Sequence, residues 1–513
     1  MRDVSSEADR TIEAPLPRNG FDAQRTARTV DSVHPFESAA TSSVNSIPHR
    51  GDDHGCPVLS WAASGGMALT GHRDGVPLMS PASAYEMIRA VARGIAGVTG
   101  DVGAPVVIDP ATTVFGRAGW SGNVRDGRRS PGGASRLLRT KDGWCAMTLS
   151  RPEDFDAVPA MLGTAARADA WASLMSEARR WPAQALAERA QLLGVPAAAV
   201  PPRSRILTSP TSPSTDSRTT SPRQTPAGEP PAHRRVVVPP LAGIEFASRR
   251  RFAVPSRPGA DSPFGERNTL PWRSSRIAEV DPAATLRDCL VVDLSSLWAG
   301  PLCARLLGAA GARVVKVEST HRPDGARAGS PELFGYLHEG HEFRSVDFRS
   351  AAGRSELAGL IEAADVVIEA SRPRALAQLG LAPQELAHRP GRVWLSLTGY
   401  GRDNPMRVAF GDDAAAAGGL VGWCGEEPVF CGDAIADPLT GMSAALAVST
   451  AVRAGGGVLI DLSMCDTSAA FATAAPIDHG PHRVLPQGDG WIVECAFLER
   501  DQPVLPPRPP TAS

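Results

Sequence analysis

Two aspartates stand four residues apart in CGDAIADPLTGM, residues 431–442, among neighbours that are nearly all small or apolar. A carboxylate in such surroundings is poorly hydrated, so it is costly to keep and reactive when kept. Asp437 precedes Pro438 and the run PLTGMSAALAVSTAV, the signature of an N-cap with proline at the first helical position. A helix start there would hold Asp437 charged while apolar neighbours thin its water. Asp433 reads as a loop or strand-end carboxylate.

The elements that must position this stretch alternate in type. Apolar runs CLVVDL (289–294), ARVVKVE (312–318), DVVIEA (365–370) and RVWLSLTGYG (392–401) are separated by helical patterns from about Gly300 to Gly311, across GRSELAGLIEAA and near PRALAQLG. Near-continuous apolar strands between helices predict a parallel, doubly wound sheet of α/β class, Rossmann-like in kind.

The rest of the chain is organised around a break. Residues 1–55 are polar without period and are expected to be disordered; residues 201–284 are dense in Pro, Ser, Thr and Arg and are expected to be a linker. A first folded part (56–200) and a second (285–500) are thereby separated, with a Pro-rich tail at 501–513. The two parts share landmarks: a Gly-Gly pair in WAASGGMALTG and in AAAAGGLVGW, each followed at similar spacing by Asp-Gly-Trp, in RLLRTKDGWCAMTL and RVLPQGDGWIVECAF. Matched order suggests a degenerate internal duplication. The first part continues into DAWASLMSEARRWPAQALAERAQLLGVPAAAV, whose periodicity predicts two helices and a short strand. It has no counterpart of Asp437, since between Gly75 and Gly100 its only acid is Glu86, so the first copy is expected to be structural.

With 513 residues, a net charge of −2 and a pI near 6.6, the chain offers no electrostatic case for nucleic acid or an anionic membrane. Its eight cysteines show no CxxC or Cys/His ligand spacing, which predicts neither a metal site nor a disulfide framework. A reduced, cytoplasmic setting is the simplest expectation. The N-terminal residues are polar and acidic where a signal peptide would be basic and then apolar, and no long apolar run occurs.

The loop after the first strand of a parallel sheet faces its ligand, and here it reads DLSSLWAGPLCARLLGAAGARVVKVE. Glu318 stands where a dinucleotide fold places its ribose-binding acid, but Gly300 is alone before Pro301 and the GxGxxG fingerprint is missing. No GxxxxGK[ST] loop occurs either. Taken with ADVVIEASRPRALAQLGL, RVWLSLTGYG, GGLVGW, GDAIADPLTGM and GGGVLIDLSMCDTSAAF, this stretch resembles, in order, the family III CoA-transferases of CaiB/BaiF type, the superfamily that includes α-methylacyl-CoA racemase. The resemblance covers about residues 287–500. The first part is similar to the family's later portion, a smaller α+β domain ending in a Gly-Val-Pro turn, here Gly194, Val195 and Pro196.

The resemblance implies a CoA-transferase with Asp437 as nucleophile, moving CoA between an acyl-CoA and a carboxylic acid acceptor, with no permanently bound cofactor and no metal. CoA binding carries over to Leu297, Trp298, Ala299 and Gly300, and to Ser371 and Leu379. Two departures stand out: family members commonly have Asn-Phe where this chain has Ala370 and Ser371, and EFRSVDFRSAAG is about two residues short. Trp298 also suits a simple core position. The racemase branch carries a His where this chain has Asp412, in AFGDDAAAAGGL, and a turn carboxylate is the plainer reading of that residue. Racemisation and a non-catalytic CoA-binding pseudoenzyme therefore stand beside transfer. Family members are interlocked homodimers, so either a homodimer or a pseudo-dimer within one chain is expected.

Overall fold

A computed structural model describes residues 55–165, 169–203, 271–474 and 482–510. Nearly all of the segment 1–55, and residues 204–270 of the expected linker, lie outside the described residues. The strands in chain order are β1 (Ser135–Arg139), β2 (Trp144–Thr148), β3 (Ala197–Ala199), β4 (Trp272–Arg276), β5 (Leu290–Asp293), β6 (Arg313–Ser319), β7 (Glu342–Val346), β8 (Val366–Glu369), β9 (Val393–Thr398), β10 (Val421–Cys424), β11 (Glu427–Phe430), β12 (Val458–Ser463), β13 (His482–Gln487), β14 (Gly490–Cys495) and β15 (Arg500–Pro503).

Seven of them form one sheet in the order β4-β12-β9-β8-β5-β6-β7. All neighbours are parallel except β4, which runs antiparallel along β12 at the edge. Chain order doubles back between β5 and β8, so the crevice at their carboxyl ends is the switch point where such sheets hold ligands. Burial explains the apolar strands. Val291, Val366, Ile368, Val393, Leu395 and Ile460 face one cluster, while Val292, Val367, Trp394 and Leu459 face another on the opposite side. Both faces are therefore covered, as a parallel sheet requires.

The first cluster also takes in Ile88, Val91, Ile95 and Val98 from the helix Ala84–Val102, together with Leu439, Met442 and Leu446 from the helix Ala436–Arg453. The first part thus shares its core with the sheet. A Cβ at Gly94 would come within 3.4 Å of Leu446, so the two helices lie in close contact.

The two helices and short strand predicted after the first Asp-Gly-Trp occur as Ala170–Glu177, Ala183–Leu192 and β3. They cover one face of the antiparallel sheet β1-β2-β3 through Leu138, Met147, Leu174 and Leu186. The other face packs Leu137, Trp144 and Ala146 against Ala416, Val421 and Phe430 of the second part. Each Gly-Gly pair follows a seven-residue helix, Pro57–Ala63 or Gly411–Ala417, and each Asp-Gly lies at a hairpin turn, β1–β2 or β13–β14.

Two boundaries and one strand differ from expectation. The linker does not reach residue 284, because 272–276 is the edge strand β4; with only Trp272 partly buried, WRSSR carries no apolar alternation to betray it. Strand β7 likewise lacks a pattern, its first four residues being partly or fully exposed. The tail is not separate: Arg500–Pro503 pairs with β14, and Arg508, Pro509 and Pro510 lie against Gly116 and Gly119. These glycines, on the helix Pro110–Ser121, leave a channel in which an extended proline-rich chain fits.

Candidate active site

The loop between β5 and the helix Ala299–Ala309 is pinned from below. Lys316, fully buried, lies 3.6 Å from Asp293 and 3.3 Å from Asp324, and also donates to the Ser295 carbonyl. Asp324 accepts from the Leu297 N–H at 3.0 Å, which holds Leu297 at φ 73°. A non-glycine residue in that region is strained, and here the ion cluster maintains it. Leu297 is 37% exposed, whereas Trp298 is 3% exposed. Ala299 and Gly300 open the helix, and Gly300 sits directly against the Ser295 side chain, leaving no room for a Cβ. Ser371 follows β8, the parallel neighbour of β5, so it emerges at the same sheet edge. Leu379 instead packs against the cluster beneath the sheet.

Asp437 is the second residue of the helix Ala436–Arg453, not its cap; Ile435 holds that position without a side-chain bond. The sequence suggested a cap because Asp-Pro is a helix-start signature, but the helix begins one residue earlier. Asp437 still lies in the first turn, where the helix field favours negative charge. Gly411 lies against its carboxylate and against the Ala434 carbonyl, so that no side chain fits there.

Around Asp437 the structure gathers Asp433 and Asp412, and links Asp413 to Asp412 through two hydroxyls. Asp433, expected to be incidental, is 2% exposed and accepts from Arg117 Nε at 2.9 Å and Nη2 at 2.6 Å, and from Asn123 Nδ2 at 3.1 Å. The Arg117 guanidinium also sits 5.3 Å from the Trp298 ring centre, joining the β5 loop to the acids. Asp412 is buried, accepting from the Ala434 N–H and from Ser135 Oγ, both at 2.9 Å. Asp413 accepts from the Phe410 N–H and Thr148 Oγ1, both at 2.9 Å.

Electrostatics separates these groups. Burial pushes Asp437 up to about 7, with Arg117 opposing and Asp412 and Asp433 reinforcing. Burial likewise pushes Asp413 up to about 7, opposed by the Phe410 N–H and Thr148. Asp412 is raised by burial and by Asp433. For Arg117 burial opposes the charge, yet Asp433, then Asp412 and Asp437, hold it above the ordinary value.

The hydroxyls carry a proton count of their own. Asp412, Ser135, Thr148 and Asp413 are linked by three contacts of 2.9, 2.8 and 2.9 Å. Two hydroxyl protons cannot fill three contacts, so the chain is complete only when one acid is protonated, and Asp413 is suited to that state.

Arg117, Asn123, Ser135 and Thr148 all come from the first part. That half, expected to be structural for want of an aspartate, supplies the cation and hydroxyls that hold the acids of the second. Nothing in FGRAGWSGN or SRLLRTKDGWCAMTL marked them, since their partners lie roughly 265 to 316 residues away. Gly411→Ala is expected to lower stability by about 1–3 kcal/mol through overpacking and to abolish any reaction at Asp437; unchanged thermal unfolding would contradict this packing.

The sheet region matches known proteins. Residues 286–492 match the family model for CoA-transferase family III. An acyl-CoA transferase from Fusarium pseudograminearum is 31% identical over 269 residues, covering 45% of this chain and 59% of that protein. A succinyl-CoA–D-citramalate CoA-transferase from Chloroflexus aurantiacus is 30% identical over 200 residues, covering 36% and 50%. A succinate–glutarate CoA-transferase from Agrobacterium fabrum is 28% identical over 243 residues, covering 40% and 61%. Among solved structures, a CaiB/BaiF family protein from Brucella suis aligns with a TM-score of 0.37 at 26% identity, over 42% of this chain and 66% of that one. The chain spans about half to three-fifths of the length of these curated relatives. No described helix is long and apolar enough to cross a membrane. Residues 286–492 thus match the CoA-transferase family III model over the same stretch whose motifs resemble that family.

Proposed function

We propose that this protein transfers CoA between an acyl-CoA and a carboxylic acid through a covalent intermediate on Asp437. The observation that carries this reading is the state of Asp437: partly exposed, in the first turn of a helix, and raised to about 7 by burial. Such a carboxylate is reachable, incompletely hydrated and partly ionised near neutral pH.

The steps balance without oxidant or metal. The Asp437 carboxylate attacks the thioester carbonyl, the C–S bond breaks, and CoA leaves as thiolate from an acyl-aspartyl anhydride. The thiolate then attacks the aspartyl carbonyl, releasing the donor acid and leaving an aspartyl-CoA thioester. An acceptor carboxylate attacks that thioester to form a second anhydride and free CoA thiolate. Attack of the thiolate on the acyl carbonyl yields the new acyl-CoA and restores Asp437. Leu297, Trp298, Ala299, Gly300 and Ser371, at the sheet's switch point, are the residues proposed to meet CoA; Leu379 supports that wall from the core. Arg117 stabilises the aspartate cluster in its charged form. Relatives named for succinyl-CoA make succinyl-CoA the first donor to try, with short dicarboxylates as acceptors.

The test is to incubate the protein with succinyl-CoA and trap with hydroxylamine or borohydride. Modification mapped to Asp437 by peptide mass spectrometry is the expected result. Absence of any adduct across a broad acyl-CoA panel would remove the transferase reading. Adduct formation is also expected to rise with pH through about 7, because only ionised Asp437 attacks; a flat profile between pH 5 and 8 would contradict it. Racemisation is less well supported, since the Asp412 oxygens are engaged by Ser135 and the Ala434 N–H; exchange of the α-proton with deuterated solvent without an acceptor acid would revive it. The internal duplication belongs to the same proposal, on the matched helix ends and hairpins. One chain would then supply both halves of a site, and a monomer in solution should carry the activity.

A further inference from the structure

The cysteines are scattered in sequence, but two of them meet a histidine in the fold. Strands β13 and β14 pair so that His482 stands directly opposite Cys495, which sets their side chains side by side. Cys56 immediately precedes the helix Pro57–Ala63, and that helix packs against β14 and β15. Its end is fastened there by the Leu505 N–H donating to the Ala62 carbonyl at 2.9 Å. As a result Cys56 Sγ lies 3.1 Å from a ring nitrogen of His482, and the donor atoms of Cys56, His482 and Cys495 all lie within 4.8 Å of one another.

We propose that Cys56, His482 and Cys495 form a binding site for a soft divalent cation, best filled by zinc. Among the described residues this is the one such grouping. In tetrahedral zinc sites, sulfur and nitrogen donors stand roughly 3.5–3.8 Å apart, within the span found here, so side-chain shifts of less than about an ångström complete the geometry. Two thiolates and a neutral imidazole cancel the charge of a divalent ion, which suits a place where both cysteines are 1% exposed. An S₂N donor set does not suit magnesium or calcium, which take oxygen ligands. A disulfide between Cys56 and Cys495 would use the sulfurs but leave the histidine's position beside them unexplained.

Binding would release one proton from each thiol to solvent. Because both thiols must give up a proton, uptake strengthens as pH rises. The three ligands make a clasp. They tie the start of the first half to the β13–β14 hairpin of the second, with Cys56 and His482 separated by 426 residues of chain. One coordination position is left for solvent or a further donor.

The experiment uses the full chain, reduced, stripped with a chelator, incubated with zinc alone and desalted. One zinc per chain by elemental mass spectrometry is expected, with none retained by the C56S/C495S double variant. The C424S control, at an exposed cysteine outside the cluster, should retain it fully. Cobalt(II) added to the wild-type protein should give thiolate charge-transfer bands and the intense visible bands of a tetrahedral ion, which requires no variant to fold. A chelator should lower the melting temperature of the zinc-loaded wild type. Zinc retention no greater than in the double variant, an octahedral cobalt spectrum, or a Cys56–Cys495 disulfide persisting with zinc and reductant present would each overturn the proposal.

Discussion

Asp437→Asn is expected to abolish acyl-CoA adduct formation and transfer, by on the order of a thousandfold or more, while making the folded protein more stable at pH 8. The two effects share one cause. Burial raises the Asp437 carboxyl from an ordinary 3.8 to about 7. The folded state therefore binds that proton more tightly than the unfolded state, and the stability this confers is complete below about pH 4 and lost as pH rises through about 7. Above pH 7 the native chain holds a charge it would rather shed. Asparagine has the same shape and no charge to desolvate, so its advantage should be small at pH 5 and should grow toward pH 8. Paired denaturant melts at the two pH values, alongside trapping with succinyl-CoA, check both halves. Full activity in the variant would exclude Asp437 as nucleophile, and equal stability at both pH values would remove the account of its burial.

Arg117→Ala should cost about 3–5 kcal/mol of stability, the usual penalty for leaving one partner of a buried pair without the other. Asp433 loses both guanidinium contacts, at 2.6 and 2.9 Å, and keeps Asn123. A second, more specific effect concerns pH. Arg117 is the largest influence drawing the Asp437 carboxyl downward, so its removal should move the profile of adduct formation to higher pH. A merely structural arginine would lower stability without moving the profile. Asp433→Asn in the Arg117→Met background should recover part of the stability, because both buried charges are then gone, and should leave the profile shifted by less than in the single variant, because Asp433 itself pushes Asp437 upward. An unshifted profile in both variants would show that Arg117 does not act on Asp437.

The strands of the sheet were legible because a parallel sheet buried on both faces needs uninterrupted apolar runs; β5, β6 and β8 carry them within a residue of the observed ends, while β9 stops at Thr398, three residues before the end of its run at 401. Strands β4 and β7 were not, because WRSSR and EFRSV lie at the two sheet edges, largely exposed, where backbone pairing places little demand on side-chain type. Asp437 could be picked out because a carboxylate ahead of a small-residue helix departs from ordinary core composition. Its exact helical position could not, since boundaries depend on which carbonyl closes the first turn.

By itself, then, the sequence determined local matters: which apolar segments would be the buried strands of the sheet, the absence of a dinucleotide fingerprint, and the one aspartate set among small residues ahead of a helix. Tertiary structure alone decided what surrounds that aspartate. Asp433 changed from a loop carboxylate to the partner of Arg117, Asp412 and Asp413 became ends of a hydroxyl chain through Ser135 and Thr148, and Cys56 came to lie beside His482 and Cys495. Each of these depends on residues hundreds of positions apart meeting at one place. Periodicity and spacing reach only a few turns along a chain, whereas the energetics of a buried charge depend on whatever the fold brings within a few ångströms.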